Sequence, residues 1–245
     1  LSHRGPENSG FFKNPHLDLI HTRLSIVDIK GGNQPIQNKR YVLVVNGEIY
    51  NDPEIRKKNQ SYKFVTNSDS ESILALYERD GIEGLKFLRG MYAFIIYDKK
   101  LDEVIIGRDE FGIKPLYFSL MNNGIVFCSE TKPIISLKES IPDINVWKLF
   151  EYMQLQYSSG TETLYEGIQR VAPGQILVIK RGKIIKSFLS SFTQKKKSIN
   201  QSESATSLDK SLRESVSSHL RSDVPYCIFF SGGIDSMLLL HYVHQ

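Results

Sequence analysis

Two cysteines in 245 residues, Cys128 and Cys227, are too few for a disulfide framework. Both sit in apolar runs, Ile125–Cys128 and Cys227–Phe230, and read as small buried thiols of a reducing compartment. No apolar run approaches the ~20 residues that a membrane helix needs, and no signal peptide is visible. A large charge of one sign is also missing: the net charge is +4. The densest basic run, Lys195-Lys196-Lys197, has no interleaved aromatics, so it reads as a solvated linker and not as a nucleic-acid patch. A starting Met and a closing helix signal are missing as well. The chain opens on Leu1, and the helical pattern from Met237 to Gln245 has no cap. The expectation is a chain truncated at both ends.

What is present suffices for a large core, with 12 Tyr and 13 Phe. The run Tyr41–Val45 is followed by Asn46-Gly47. Three hairpins are predicted: Tyr92–Tyr97 with Val104–Gly107, Leu116–Leu120 with Ile125–Cys128, and Gln175–Ile179 with Lys183–Phe188. Helical spacing marks Asp69–Arg79, with Ser68 or Asp69 as N-cap, and Asp143–Leu155. Antiparallel strands with segregated helices give an α+β first domain. Polar composition from Thr193 to Thr206 marks a linker. A helix near 207–220, a strand Tyr226–Phe230, a Gly loop and a second helix then open an α/β domain. The expected division is therefore a first domain over 1–192, a linker over 193–206 and a second domain from 207 to 245.

Two motifs carry chemistry. In Ser231-Gly232-Gly233-Ile234-Asp235-Ser236 the glycines let successive N–H groups face one point at a helix start, which suits a phosphate. The Gly-Lys-Ser/Thr ending of a Walker A loop is absent. The pattern resembles the signature of ATP pyrophosphatases. A plain strand-to-helix turn is the other reading. In Asn46-Gly47-Glu48-Ile49-Tyr50-Asn51 a side-chain amide and a backbone N–H stand side by side after a strand, which is what an oxyanion hole needs. A tight Asn-Gly turn is the other reading.

Around these motifs, in order, stand Arg4-Gly5-Pro6-Glu7, His21–Asp28, Gly32-Asn33-Gln34-Pro35, Thr66–Glu71, Gly90–Phe94, Arg108–Tyr117, Phe127–Glu130 and Arg170–Gly174. Together they resemble the class II glutamine amidotransferase domain of glutamine-dependent asparagine synthetases, and the resemblance runs from Leu1 to Gln245. It implies an Ntn-hydrolase αββα sandwich followed by the start of an ATP-pyrophosphatase domain. It also implies an enzyme that hydrolyses glutamine, adenylates aspartate with MgATP and releases AMP and pyrophosphate. Arg23 would grip the α-carboxylate of glutamine, Glu48 and Asp69 would meet its α-ammonium, and the backbone of Leu24, Ser25, Ile26 and Val27 would line the pocket. Asn46 and Gly47 would form the oxyanion hole. Phe230, Ser231, Gly232, Gly233, Asp235 and Ser236 would bind ATP, with the Mg²⁺ ligands outside the chain. Arg4, Asp109 and Lys114 stay open between support and chemistry, with support as the expectation.

The sequence departs from the family pattern at Met237, where serine is usual, and at Phe230, where leucine is. The family's nucleophile is a cysteine at the first position of the mature chain, and neither Cys128 nor Cys227 can replace it, being internal. Truncation explains this. The rivals are a related enzyme with another acceptor acid, such as a β-lactam synthetase, and a catalytically dead glutamine-binding module. The expected partners are glutamine, aspartate and ATP in the cytoplasm, without nucleic acid or membrane. A homodimer stays open as an assembly.

Overall fold

The computed structural model describes residues 1–190 and 201–244. Eleven strands and six α-helices are found among them. Strands β1 (Asn8–Asn14) and β2 (Leu17–Arg23) make a separate hairpin. Then come β3 (Ile36–Gln37), β4 (Tyr41–Ile49), β5 (Gly90–Asp98), β6 (Glu103–Arg108), β7 (Tyr117–Met121), β8 (Gly124–Cys128), β9 (Gln169–Arg170), β10 (Gln175–Lys180) and β11 (Lys183–Leu189). The helices are α1 (Asp52–Lys58), α2 (Ser72–Asp80), α3 (Thr131–Ser136), α4 (Val146–Leu155), α5 (Gln201–His219) and α6 (Ile234–His244). No helix among the described residues is long and apolar enough to cross a membrane.

A six-stranded antiparallel sheet in the order β11-β10-β6-β5-β4-β3 forms the backbone of the fold. Its central strand β4 is covered on both faces. Tyr41, Leu43, Val45 and Ile49 face Ile73, Leu74, Leu76 and Tyr77 of α2 in one core. Val42 and Val44 face Leu19 of β2 in another. A strand buried on both sides has no polar face to alternate with, so Tyr41–Val45 is continuously apolar.

A third core joins Ala93, Ile106, Leu177 and Ile179 to Leu116, Phe118, Phe127 and Val171, which places the three-stranded sheet β8-β7-β9 over the same face as the β1–β2 hairpin. Helix α3 packs against β7 and β8. The layers are thus helix, sheet, sheet, helix: an αββα sandwich of α+β class, with the predicted hairpins in place. Each side chain fully removed from water here contributes about 1.5–3 kcal/mol, which makes β4 and β5 a stiff floor for whatever lies above them.

Several boundaries differ from expectation. Asn46-Gly47 does not end a strand but lies inside β4. A Cβ on Gly47 would stand 2.1 Å from the Met91 carbonyl oxygen and 2.6 Å from Tyr92 Cα, so the glycine serves a close approach of β5 and not a turn. The Asp69 helix opens with a 3₁₀ turn, Asp69–Glu71, before α2 starts at Ser72. Helix α4 starts at Val146, where Asn145 Oδ1 accepts the Lys148 N–H at 3.1 Å; the preceding Ile144 bridges to Tyr165 instead.

The linker expectation lies partly outside the described residues, and its part at 201–206 is the first stretch of α5. Residues 226–230 form no strand, because none of the described residues supplies a ladder partner. Cys227, expected buried, is exposed, and Cys128 is half-buried.

Candidate active site

The β1–β2 hairpin and the three-stranded sheet lie side by side over the large sheet and leave a cleft between β2 and β8. Its lining includes Arg23, Asn46, Gly47, Glu48, Asp69 and Lys114, with Cys128 on the β8 side. Leu24, Ile26 and Val27 line it as well. Ser25 does not; it is buried, with its N–H on Glu7 Oε2 at 2.8 Å. The phosphate-loop residues 230–236 lie elsewhere.

Strand β4 sets the geometry. Hydrogen bonds alternate in direction along an antiparallel pair. Tyr92, opposite Gly47, turns its N–H and carbonyl away from β4, toward Asp109 of the β6 side. Gly47 therefore turns its own N–H away from β5, as do its neighbours two residues off on either side. The Val45 N–H goes to Gln34 Oε1 at 2.6 Å, and the Ile49 N–H goes to Asp69 Oδ2 at 2.6 Å. Gly47 is left between these two capped positions with its N–H at the cleft. The half-buried Asn46 beside it also lines the cleft.

Glu48 and Asp69 are two desolvated carboxylates next to each other. Burial, then the Asp69 charge, push the Glu48 carboxyl up to about 7, against the opposing pull of Lys114 and Arg221. Burial raises Asp69 as well, partly offset by the Ile49 N–H bond. Glu48 Oε1 is buried with no hydrogen-bond partner, as is the nearby Tyr50 hydroxyl, whose pKa burial and then the Glu48 charge raise to about 12. Burial, then Arg4, lower Lys114. A pair of buried carboxylates with an unpartnered oxygen is a place that lacks a cation.

The sign of the Glu48 effect is fixed. Between pH 4.5 and about 7 the folded state keeps a proton that the unfolded chain has lost, so stability falls as pH rises through that window. Each pH unit between the two values is worth about 1.4 kcal/mol, and the full penalty above pH 7 is about 3 kcal/mol. Glu48→Gln is expected to remove most of that penalty, so the variant should be more stable than wild type at pH 8 and nearly equal at pH 4.5. Urea unfolding at both pH values checks this, and equal stability at pH 8 would refute it.

Arg23 is buried, and its guanidinium organises the loop above the cleft. Nη2 donates to the carbonyls of Val27 (3.1 Å) and Asp28 (2.8 Å), and Nη1 donates to the Ile29 carbonyl (3.2 Å) and Asn33 Oδ1 (3.0 Å). Asp28, at φ 54, is a node that the sequence gave no reason to single out. Its carboxylate accepts from the N–H groups of Gly31 and Asn67, which ties the Arg23 loop to the segment that carries Asp69.

Gln34 was likewise missed as an individual residue. Its amide spans the N–H and carbonyl of Val45, one residue before Asn46. Arg4 pairs with Glu130, and Asp109 is a buried support discussed below.

In the second segment Gly232 has φ 78, and the Ser236 hydroxyl donates to the Gly233 carbonyl at 2.9 Å. A Cβ on Gly233 would meet only the Ser231 hydroxyl, at 3.5 Å, so the loop's outer side is open where α6 begins. Open backbone at a helix start fits a phosphate. Among the described residues no group of three or more His, Cys, Asp or Glu could hold a metal ion.

Comparison with known families matches residues 1–191 to the glutamine amidotransferase domain and residues 207–245 to asparagine synthase. Similar curated proteins include a glutamine-hydrolysing asparagine synthetase of Bacillus subtilis, 37% identical over 98% of this chain and 39% of that protein. Asparagine synthetase B of Escherichia coli, also glutamine-hydrolysing, is 35% identical over 98% and 39%. The amidase chry2 of Gibberella zeae is 31% identical over 96% and 36%. The chain thus spans about two fifths of the length of these relatives. With an αββα sandwich, a cleft built on β4 and a family match over residues 1–191, the chain belongs to the glutamine amidotransferase family and continues into an asparagine synthase segment.

Proposed function

We propose that the full-length protein makes asparagine from aspartate and ATP with ammonia from glutamine. The observation that carries this reading is the pair Glu48 and Asp69, a cation-seeking site next to the outward N–H of Gly47. An α-ammonium between the two carboxylates relieves their repulsion. The α-carboxylate then lies toward Arg23 and the backbone of the 24–27 loop, and the Arg23 charge favours it there. The side-chain amide reaches Asn46 and Gly47, whose two N–H donors meet the oxyanion as the carbonyl becomes tetrahedral. The attacking thiolate is the terminal cysteine that the family resemblance implies, outside residues 1–245. Cys128 lies within β8 and has no free α-amine beside it.

The phosphate loop serves the second half-reaction. Backbone N–H groups of Ser231–Ser236 and the start of α6 would hold the pyrophosphate of ATP. ATP supplies an adenylate as leaving group on the aspartate side chain, and Mg²⁺ accompanies it. The β-aspartyl adenylate and the cytoplasmic setting belong to the same reading.

The test is to incubate the full-length gene product with amide-labelled glutamine, aspartate and MgATP. Labelled asparagine, glutamate and AMP are expected in equal amounts. Glutamate release without aspartate-dependent AMP would point to another acceptor acid, and no glutamate release would leave a glutamine-binding module.

A further inference from the structure

The segment that leads into the phosphate loop touches the glutamine cleft at three places. At the end of α5 the His219 ring lies 4.2 Å from the Tyr50 ring. The Arg221 guanidinium pairs with Asp52, a fully buried carboxylate that also holds Arg56 Nε at 2.7 Å and the Ser72 hydroxyl at the start of α2. Asp223 takes the Asp28 N–H on Oδ2 at 2.7 Å and gives its own N–H to the Ile26 carbonyl at 2.9 Å.

The last contact matters most. Asp28 stands in the left-handed region, which a non-glycine residue holds only when its surroundings fix it. Its carbonyl holds Arg23, its carboxylate holds Gly31 and Asn67, and its N–H is held from outside by Asp223. The loop that lines the cleft at Leu24, Ile26 and Val27 is thereby fixed at two successive turns by a residue 195 positions away in sequence.

We propose that Asp223 is a positioning residue for the glutamine pocket, supplied by the segment that precedes the phosphate loop, so that the cleft takes its binding form only when that segment is docked. The Arg221–Asp52 pair and the His219–Tyr50 contact hold the segment in place. A consequence is reciprocal coupling: whatever favours the docked segment favours glutamine, and glutamine favours docking by the same factor.

The inference rests on the glutaminase reading for its kinetic test, so a second readout is independent of catalysis. In the full-length protein, Asp223→Ala is expected to raise KM for glutamine by roughly fivefold, more than it changes kcat, because a hydrogen bond to a charged acceptor is lost. Asp223→Asn keeps an oxygen acceptor and should restore most of the loss. Hydrogen exchange should speed up at residues 24–31 in Asp223→Ala while the α2 and β5 amides keep wild-type protection.

Wild-type exchange in the 24–31 loop of Asp223→Ala would overturn the proposal whatever the kinetics. So would faster exchange everywhere, which would mark general loss of structure, or a failure of Asp223→Asn to restore KM. If the wild-type protein releases no glutamate, the glutaminase reading fails, and the exchange experiment still decides whether Asp223 holds the loop.

Discussion

Asn46→Ala should lower kcat for glutamine hydrolysis by roughly 10²–10³ while leaving KM for glutamine within a few-fold. The split follows from what each group does. Glutamine is held in this reading by its charged ends, at Glu48, Asp69 and the Arg23 loop, none of which the substitution touches. The Asn46 amide acts when the reacting carbonyl oxygen becomes an anion, so its loss is felt in the transition state and not in the ground state. The fold should tolerate the change. Asn46 is half-buried at the cleft, pairs with Ala93 through backbone alone, and carries no core packing. Gly47 N–H survives as the second donor, which is why activity falls and does not vanish. Glutamate release by full-length Asn46→Ala at saturating glutamine is the measurement. Turnover at the wild-type rate would remove Asn46 from the mechanism, and a large rise in KM with unchanged kcat would turn it into a binding residue.

The parts of this molecule that could be read in advance depend on local chemistry. The apolar run Tyr41–Val45 and the three hairpins carry their own signals, since a strand's faces and a tight turn are encoded within a few residues. Asn46-Gly47 carries a turn signal equally well, and there the signal misleads. The reason for the glycine is the Met91 carbonyl of the next strand, which is 44 residues away and has no mark at position 47. The same limit explains Asp69. As the first residue of a helical pattern it reads as a cap, yet its carboxylate goes to the Ile49 N–H across the site.

Asp28 and Gln34 stand in motifs that sequence comparison singles out as a family pattern, but their roles depend on which backbone groups converge on them. Residue type says only that an acceptor is present. Tyr226–Phe230 shows the converse: its composition is that of a strand, but a strand is made by its neighbours, and the described residues provide none. The contact of Asp223 with the 26–28 loop had no sequence signal at all, since nothing in its surroundings distinguishes it from a surface aspartate.

Asp109 is where the largest loss of stability is expected. Its side chain is 1% exposed and accepts four backbone N–H bonds. Oδ1 takes those of Phe111 (3.1 Å) and Ile113 (2.8 Å), and Oδ2 takes those of Lys114 (3.0 Å) and Tyr92 (3.2 Å). Its own carbonyl accepts from Gly112 and Gly174. One residue thus closes the loop after β6, ties it to β5 and anchors the turn before β10. Asp109→Asn is nearly isosteric and still fails, because each carboxylate oxygen serves two donors. Whichever way the amide is turned, two backbone N–H groups face an NH₂. A buried donor left unsatisfied costs about 1–3 kcal/mol, so the expected loss for Asp109→Asn is about 4 kcal/mol, and Asp109→Ala, with all four donors stranded, should lose more.

The consequence reaches the cleft. Lys114 is positioned by its own N–H on Asp109, and its ammonium is one of the charges that oppose the rise of Glu48. When the loop is released, Glu48 should titrate still higher, and glutamine binding should weaken at neutral pH along with stability. Urea unfolding of the full-length variant, followed by the loss of protection at the β5 and β6 amides, measures the first effect. A wild-type midpoint for Asp109→Asn would mean that the four N–H groups find other acceptors, and the support role assigned to Asp109 would fall with it.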